Sequence, residues 1–264
     1  MNPTALITGA SSGIGYEIAK QLAARGYNLV LTARQPEKLE KARENIAAIS
    51  NQLVASVTAD LHDSEAPQKI YDFCKANQYS INLLVNNAGY ALAGAFHETT
   101  MEDEEQFLRV LGISVIALTK LILKDMLVQG EGRIMFISSV AAYAPPSSIQ
   151  VLYGPVKTFI NRFNEALNLN YNTRGIYATA VCPGYTVTNF HTASGVQKEM
   201  DRVPLFMKKN AARVAKEAVE ATLKRKKVSV PTKTFKIIVF LLQVLPKGLF
   251  PFFSKRLAPG RYKN

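Results

Sequence analysis

Cysteine and histidine are scarce in this chain. Two cysteines, Cys74 and Cys182, stand far apart among 264 residues, which excludes a disulfide framework and a thiolate metal cluster. Three scattered histidines, His62, His97 and His191, do not make a metal-ligand set. Low-complexity tracts and repeats of about 20 to 50 residues are also missing, which excludes solenoids and arrays. No cleavable leader is visible, because an apolar strand begins almost at once. The expectation is a protein of the reducing cytoplasm. Acidic residues run short in one place only. Residues 1–206 hold 17 Lys and Arg against 18 Asp and Glu, whereas residues 207–264 hold 15 against 2. The net charge of +12 therefore belongs to a C-terminal tail on a near-neutral body. Such a tail points to an anionic surface, membrane or nucleic acid.

What is present alternates. Residues 5–7, 28–32, 54–59, 81–85, 133–137 and 177–181 are short, largely apolar runs and read as strands. Between them lie helical patterns. The first carries Ile14, Ile18 and Leu22 at four-residue spacing and is stopped by Gly26. The others span 36–49 (opened by Pro36), 64–77, 102–129 and 153–173, and a last short strand reads at 228–231. Continuous apolar strands separated by helices predict an α/β fold: a single doubly wound parallel sheet, Rossmann-type, with helices on both faces. The length suits one such domain over 1–231, followed by a basic, apolar C-terminal extension over 232–264.

The first strand runs into Thr8-Gly9-Ala10-Ser11-Ser12-Gly13-Ile14-Gly15. Gly9 permits the tight turn, Gly13 lets a pyrophosphate approach the backbone, and Gly15 allows helix and sheet to pack closely. The helix N-terminus behind them offers N–H groups and a positive dipole to phosphate. The segment, with Ser11, Ser12 and Ile14, reads as a dinucleotide cradle, although its spacing is Gly-x-x-x-Gly-x-Gly. An acid at the end of the second strand would bind a ribose 2′-hydroxyl, but Thr32-Ala33-Arg34 has none. Arg34 can fork onto a 2′-phosphate, so NADP(H) is expected over NAD(H). Asp60, ending the third strand, either accepts from the adenine amino group or caps the next turn.

Tyr153-Gly154-Pro155-Val156-Lys157 puts a phenol and an ammonium at i and i+4, one helical turn apart. A phenol titrates near ~10 and must be acidified to exchange a proton at neutrality. A cation within about 4 to 6 Å favours phenolate, and a shift of about three units corresponds to roughly 4 kcal/mol. Pro155 is compatible with this only if Tyr153 lies in the first helical turn. Ser139, after the fifth strand, can donate to a substrate carbonyl oxygen.

With these motifs in this order, residues 4–190 resemble the classical short-chain dehydrogenases/reductases. The resemblance rests on Thr8-Gly9-x-x-x-Gly13-Ile14-Gly15, Asp60-Leu61, Asn86-Asn87-Ala88-Gly89, Ser139, Tyr153-x-x-x-Lys157 and Pro183-Gly184-x-x-x-Thr188. It implies that Asn87, Ala88 and Gly89 lie against the cofactor. It implies that Pro183, Gly184, Thr186 and Thr188 contact the nicotinamide carboxamide. Tyr153 becomes the acid/base, Lys157 also binds the nicotinamide ribose, and Arg34 marks the NADP-preferring branch. Homodimers or homotetramers are the implied assembly. Two departures stand out. The asparagine that the family carries in its long helix, where it holds a proton-relay water, aligns with Leu111, and Ser114 is the candidate substitute. Ser139 precedes Tyr153 by one residue more than is common, which leaves Ser138 as a rival.

The family places a mobile substrate lid at about 189–210. Met200, Val203, Leu205, Phe206 and Met207 would line it and favour a hydrophobic carbonyl or alcohol substrate, or else pack in the core. Residues 235–245 form an apolar helical run with a narrow stripe of Lys236, Gln243 and Lys247, too short to span a bilayer. Beside so many bases it reads as a membrane-surface helix, and packing on its own domain or a dimer partner is the alternative. Nucleic acid is not expected, since the tail's phenylalanines cluster with aliphatics. The functional expectation is an NADP(H)-dependent oxidoreductase, cytoplasmic and peripheral at the inner membrane face. A catalytically impaired NADP-binding interaction protein of the same fold is the alternative.

Overall fold

Alternate residues of β1 (Thr4–Thr8) serve opposite layers: Leu6 packs into one core cluster, Ala5 and Ile7 into the other. The same division repeats in β2 (Asn28–Ala33), with Val30 against Leu29 and Leu31, and in β4 (Ile81–Asn86), with Leu84 against Leu83 and Val85. A strand apolar on both sides needs a helix layer on each, and each Leu or Ile so buried contributes about 1.5–3 kcal/mol relative to exposure. The computed structural model describes residues 2–146, 150–188, 201 and 203–244. Its main sheet is seven-stranded and parallel, in the order β3-β2-β1-β4-β5-β6-β9. The further strands are β3 (Val54–Thr58), β5 (Gly132–Ile137), β6 (Ile176–Val181) and β9 (Val228–Ser229); β7 (Thr186–Val187) and β8 (Lys209–Asn210) make a small separate sheet. Strand order reverses between β1 and β4, which opens the crevice where such sheets bind ligands.

One layer holds α1 (Gly13–Ala23), α2 (Pro36–Ala47) and a helix over Ala211–Leu223; the other holds α3 (Ala66–Ala76), the long helix and the tyrosine helix. The long helix starts at a Thr100–Asp103 capping box and ends at Gly130 in the left-handed region. It is not regular: α4 (Met101–Leu108) and α5 (Ser114–Gln129) are joined by a π turn, Arg109–Ile113, containing Leu111. Met101–Gln129 is long and apolar enough to cross a bilayer by length and composition. Its Leu118, Ile122 and Met126 nevertheless lie in the core beneath β4 and β5. The tyrosine helix α6 (Tyr153–Tyr171) opens at Tyr153, so Pro155 falls in the first turn, where it displaces no helical hydrogen bond. Two elements have no counterpart in the sequence reading: α7 (Ala211–Leu223), packed on α1, and the β7–β8 pair. The final described helix, α8 (Lys233–Val244), docks on the body through Phe235 and Val239.

Candidate active site

The glycine turn is shaped by close neighbours. Gly9 and Gly13 have φ of +64° and +60°, a region other residues avoid. A Cβ on Gly9 would stand 2.9 Å from the Ala88 Cα, and one on Gly15 would stand 2.5 Å from the Gly9 carbonyl oxygen and collide with the Asn87 amide. Gly15 is thus needed for the loop's own closure against β4, not only for packing helix on sheet. A Cβ on Gly13 would stand 3.3 Å from the Thr188 side chain, so the far end of the Pro183-Gly184 segment reaches the glycine turn. No side chain caps α1, whose N-cap is Ser12. Its first-turn N–H groups are left to an anion.

Asn87 ties the turn to β4. Its Nδ2 donates to the Thr8 oxygen at 2.8 Å and the Gly9 oxygen at 3.1 Å. The Thr8 hydroxyl accepts from the Asn87 and Ala88 N–H groups, each at 3.0 Å, and donates to the Val85 oxygen at 3.4 Å. Thr8 was not singled out from the sequence, although a hydroxyl at the last strand position before a glycine turn is a recognisable signal.

Arg34 lies just past β2, exposed, and makes no ion pair among the described residues. Asp60 takes the capping role: its Oδ1 accepts from the His62 N–H at 3.1 Å and meets the imidazole Nδ1 at 2.8 Å. Burial alone would raise the Asp60 carboxyl, but these hydrogen bonds, with the charges of His62 and Arg34, hold it below the usual carboxylate range. Leu61 is buried in the core beside it. His62 and Tyr90 were missed as site residues. The His62 Nε2 lies 3.3 Å from the Tyr90 hydroxyl, Tyr90 meets Phe107 edge-on, and Phe107 lies 6.5 Å from the Tyr153 ring. An aromatic wall thus joins the Asp60 turn to the tyrosine helix.

On α6 the Lys157 Nζ stands 5.6 Å from the Tyr153 ring centroid and donates to the Ile137 oxygen at 2.8 Å. Lys157 is buried, and loss of solvent pushes its ammonium down to about 8, opposed by the Cys182 side chain. At neutral pH it remains mostly charged. Ser139 follows β5 and accepts from the Ala141 N–H at 3.1 Å. Ser138 is turned into the core, where its hydroxyl donates to the Lys157 oxygen at 3.1 Å, which argues against it as the substrate-facing serine. Leu111 is buried with its side chain against Gly89. Ser114 does not replace the missing asparagine: its hydroxyl is committed to the Val110 oxygen at 2.8 Å within its own helix.

Beside Tyr153 a shallow groove is walled by Leu92, Phe96, Phe107, Val151 and Leu152, with Thr99, Glu104 and Gln150 among its polar residues. The expected lid is divided. Residues 189–200 and 202, including Met200, lie outside the described residues. Val203 and Met207 pack in a cluster with Phe235 of α8, whereas Leu205 and Phe206 turn outward and do not line the site. Phe235 also explains Gly184: a Cβ there would overlap three of its ring carbons. The Thr186 hydroxyl donates to the Gly184 oxygen at 3.0 Å and Pro183 accepts from the Val140 N–H at 3.0 Å, so the turn is braced from both sides.

Residues 3–199 match the family model described as short chain dehydrogenase. Oxidoreductase UcpA of Escherichia coli K12 is 33% identical over 185 residues, 70% of each chain. The mouse 17-beta-hydroxysteroid dehydrogenase type 3 is 31% identical over 258 residues, 95% of this chain and 78% of that one. Among solved structures, a short-chain dehydrogenase from Sphingobium yanoikuyae in complex with NADPH superposes with a TM-score of 0.83. It is 29% identical and covers 99% of this chain and all of the other.

Proposed function

The chain belongs to the short-chain dehydrogenases and is an oxidoreductase of CH–OH and C=O groups; from that premise we propose an NADP(H)-dependent carbonyl reductase, running in either direction, for a hydrophobic substrate. The observation that carries the reading is the Tyr153–Lys157 pair, an ammonium 5.6 Å from a phenol ring on one helix face beside a partly apolar groove. NADPH, when bound, supplies the hydride. Gly9, Ser11, Ser12, Gly13, Ile14 and Gly15 would hold its pyrophosphate, since the turn is a cradle that side chains would fill and the N-terminus of α1 lacks a side-chain cap. Arg34 would take the 2′-phosphate, and Asp60, Leu61, Asn87, Ala88 and Gly89 the adenosine side. Lys157, Pro183, Gly184, Thr186 and Thr188 would take the nicotinamide half. The NADPH-bound relative supports this choice of cofactor.

In the reduction, Ser139 donates a hydrogen bond to the carbonyl oxygen and orients it. Tyr153 gives its proton to that oxygen, and the Lys157 charge makes the resulting phenolate easier to form. The Leu92, Phe96, Phe107, Val151 and Leu152 walls favour an apolar group next to the carbonyl. Tyr153→Phe should abolish NADPH oxidation with apolar ketones while leaving the NADPH dissociation constant within about twofold; unchanged turnover would reject the assignment.

One observation favours a second reading, a catalytically impaired NADP-binding interaction protein. Leu111, buried against Gly89, stands where the resemblance aligns the family's asparagine, and its hydrocarbon side chain cannot hold a water. Turnover of any ketone in a broad apolar panel, lost in Tyr153→Phe, decides for the enzyme. In this reading residues 1–231 are the catalytic body, and the extension, 232–264, meets an anionic bilayer on the cytoplasmic side. Assembly as a homodimer or homotetramer is part of the same proposal.

A further inference from the structure

Helix α8 carries two apolar stripes. The inner one, Phe235, Ile238 and Val239, packs on the body with Val203, Met207 and Tyr185. The outer one, Ile237, Phe240, Leu241 and Val244, repeats at i, i+3, i+4 and i+7 and faces solvent, with Ile237 61% and Phe240 62% exposed. The turn over Leu205–Met207 also exposes apolar side chains, Leu205 at 83% and Phe206 at 62%. The turn and the helix are fastened together: Val203 and Met207 share the Phe235 cluster, and Lys209 donates to the Thr234 hydroxyl at 3.1 Å. At its start α8 is held by Glu217 of α7, which accepts from the Thr232 N–H at 2.9 Å and pairs with Lys236 at 3.6 Å. The outer stripe is therefore presented on a braced platform. An exposed apolar helix stripe of this kind marks an interaction surface.

We propose that this face, α8 with the Leu205–Phe206 turn, is the docking surface for an anionic lipid bilayer. Charge decides among the possible occupants. Lys233 and Lys236 are exposed on α8, and residues 245–264 add Lys247, Lys255, Arg256, Arg261 and Lys263 with no acid. A second copy meeting this face about a two-fold axis would set bases against bases. A nucleic acid would meet a largely aliphatic face, with Phe206 and Phe240 as its exposed aromatic rings, instead of a row of stacking side chains set among the charges. An interface of acyl chains below anionic headgroups matches both parts, the stripe entering hydrocarbon and the bases remaining at phosphate depth.

The test uses the full-length chain with NADPH. Co-sedimentation is measured with vesicles of phosphatidylcholine alone and with one-third phosphatidylserine, alongside a doubly substituted Ile237→Glu, Phe240→Glu chain. Both positions are solvent-facing, so the variant should fold, and an unchanged thermal midpoint checks that. The expected result is at least tenfold tighter binding to the anionic vesicles, weakened at least tenfold by the substitutions and by 0.5 M salt. Absence of vesicle binding, equal binding to both vesicle types, or binding untouched by the substitutions would overturn the proposal. So would a dimer that the substitutions dissociate. None of these readouts depends on turnover, so a failed enzymatic assignment would leave the result interpretable.

Discussion

Gly184→Ala would put a methyl carbon inside the Phe235 ring. Something must yield, and the backbone at Gly184 is braced by Thr186 and by the Val140–Pro183 hydrogen bond. The ring should therefore move, and with it the first turn of α8 and the Val203–Met207 cluster. Overpacking of this kind costs about 1–3 kcal/mol. Phe235→Ala, at a side chain 1% exposed, should cost about 3–5 kcal/mol through lost burial and the cavity left behind. The double variant separates the causes. With the ring gone the new methyl enters vacated space, so its stability should lie near that of Phe235→Ala alone, a favourable coupling of about 1–3 kcal/mol. Urea unfolding of the four proteins, read as midpoints at constant m, measures this. Additivity within ~0.5 kcal/mol would mean that ring and glycine do not exclude each other, and the link between the tail helix and the Pro183-Gly184 turn would fall.

Other consequences are open to direct measurement. Arg34→Ala should weaken NADPH binding roughly 10- to 150-fold, the loss of a charged hydrogen-bond pair worth about 1.5–3 kcal/mol, and leave NADH nearly unchanged; equal losses would remove the 2′-phosphate assignment. Lys157 binds fewer protons folded than unfolded between about 8 and its ordinary 10.5. Its burial therefore destabilises the protein at neutral pH, and that cost, on the order of 3 kcal/mol, is relieved as pH rises through this window. Relative to Lys157→Met, wild-type stability should climb from pH 8 to 10.5 while turnover declines above pH 8 as the charge is lost; a flat difference would contradict the buried cation. Gly15→Ala should abolish NADPH binding, because the methyl would meet the Gly9 carbonyl and displace the Asn87 amide. Gly26→Ala, with φ of +85° and open space around it, should cost only about 1–2 kcal/mol of stability and no affinity; matching effects at the two sites would refute this ranking.

The main sheet and the cofactor turn were readable because their signals are local. Strand runs, the Pro36 and Gly26 boundaries and the glycine spacing each rest on a few consecutive residues, and Pro155 correctly placed Tyr153 in the first turn of α6. The irregularity at Arg109–Ile113 was not readable, since a π turn keeps the apolar pattern of the helix it interrupts. Helix α7 escaped for another reason: between two basic segments its Ala215, Ala218, Val219 and Thr222 are small, and only contact with α1 reveals them as a buried face. The role of Gly184 needed a partner 51 positions away, and the division of the lid residues between core and surface depended on that same phenylalanine. Ser114 was chemically suited to replace an asparagine, but a hydroxyl four residues after a carbonyl on a helix takes the nearer acceptor.

The clasp formed by Thr8 and Asn87 has a bearing on how a dinucleotide is received. Four N–H donations fasten the mouth of β1 to the mouth of β4 with protein groups alone. The mould is therefore cast while the polypeptide folds, and the entropy of shaping it is lost then, so an arriving ligand need not organise its own berth. Affinity in such a berth resides in rigidity as much as in contacts, and loosening the clasp at the Thr8 hydroxyl would weaken capture through disorder.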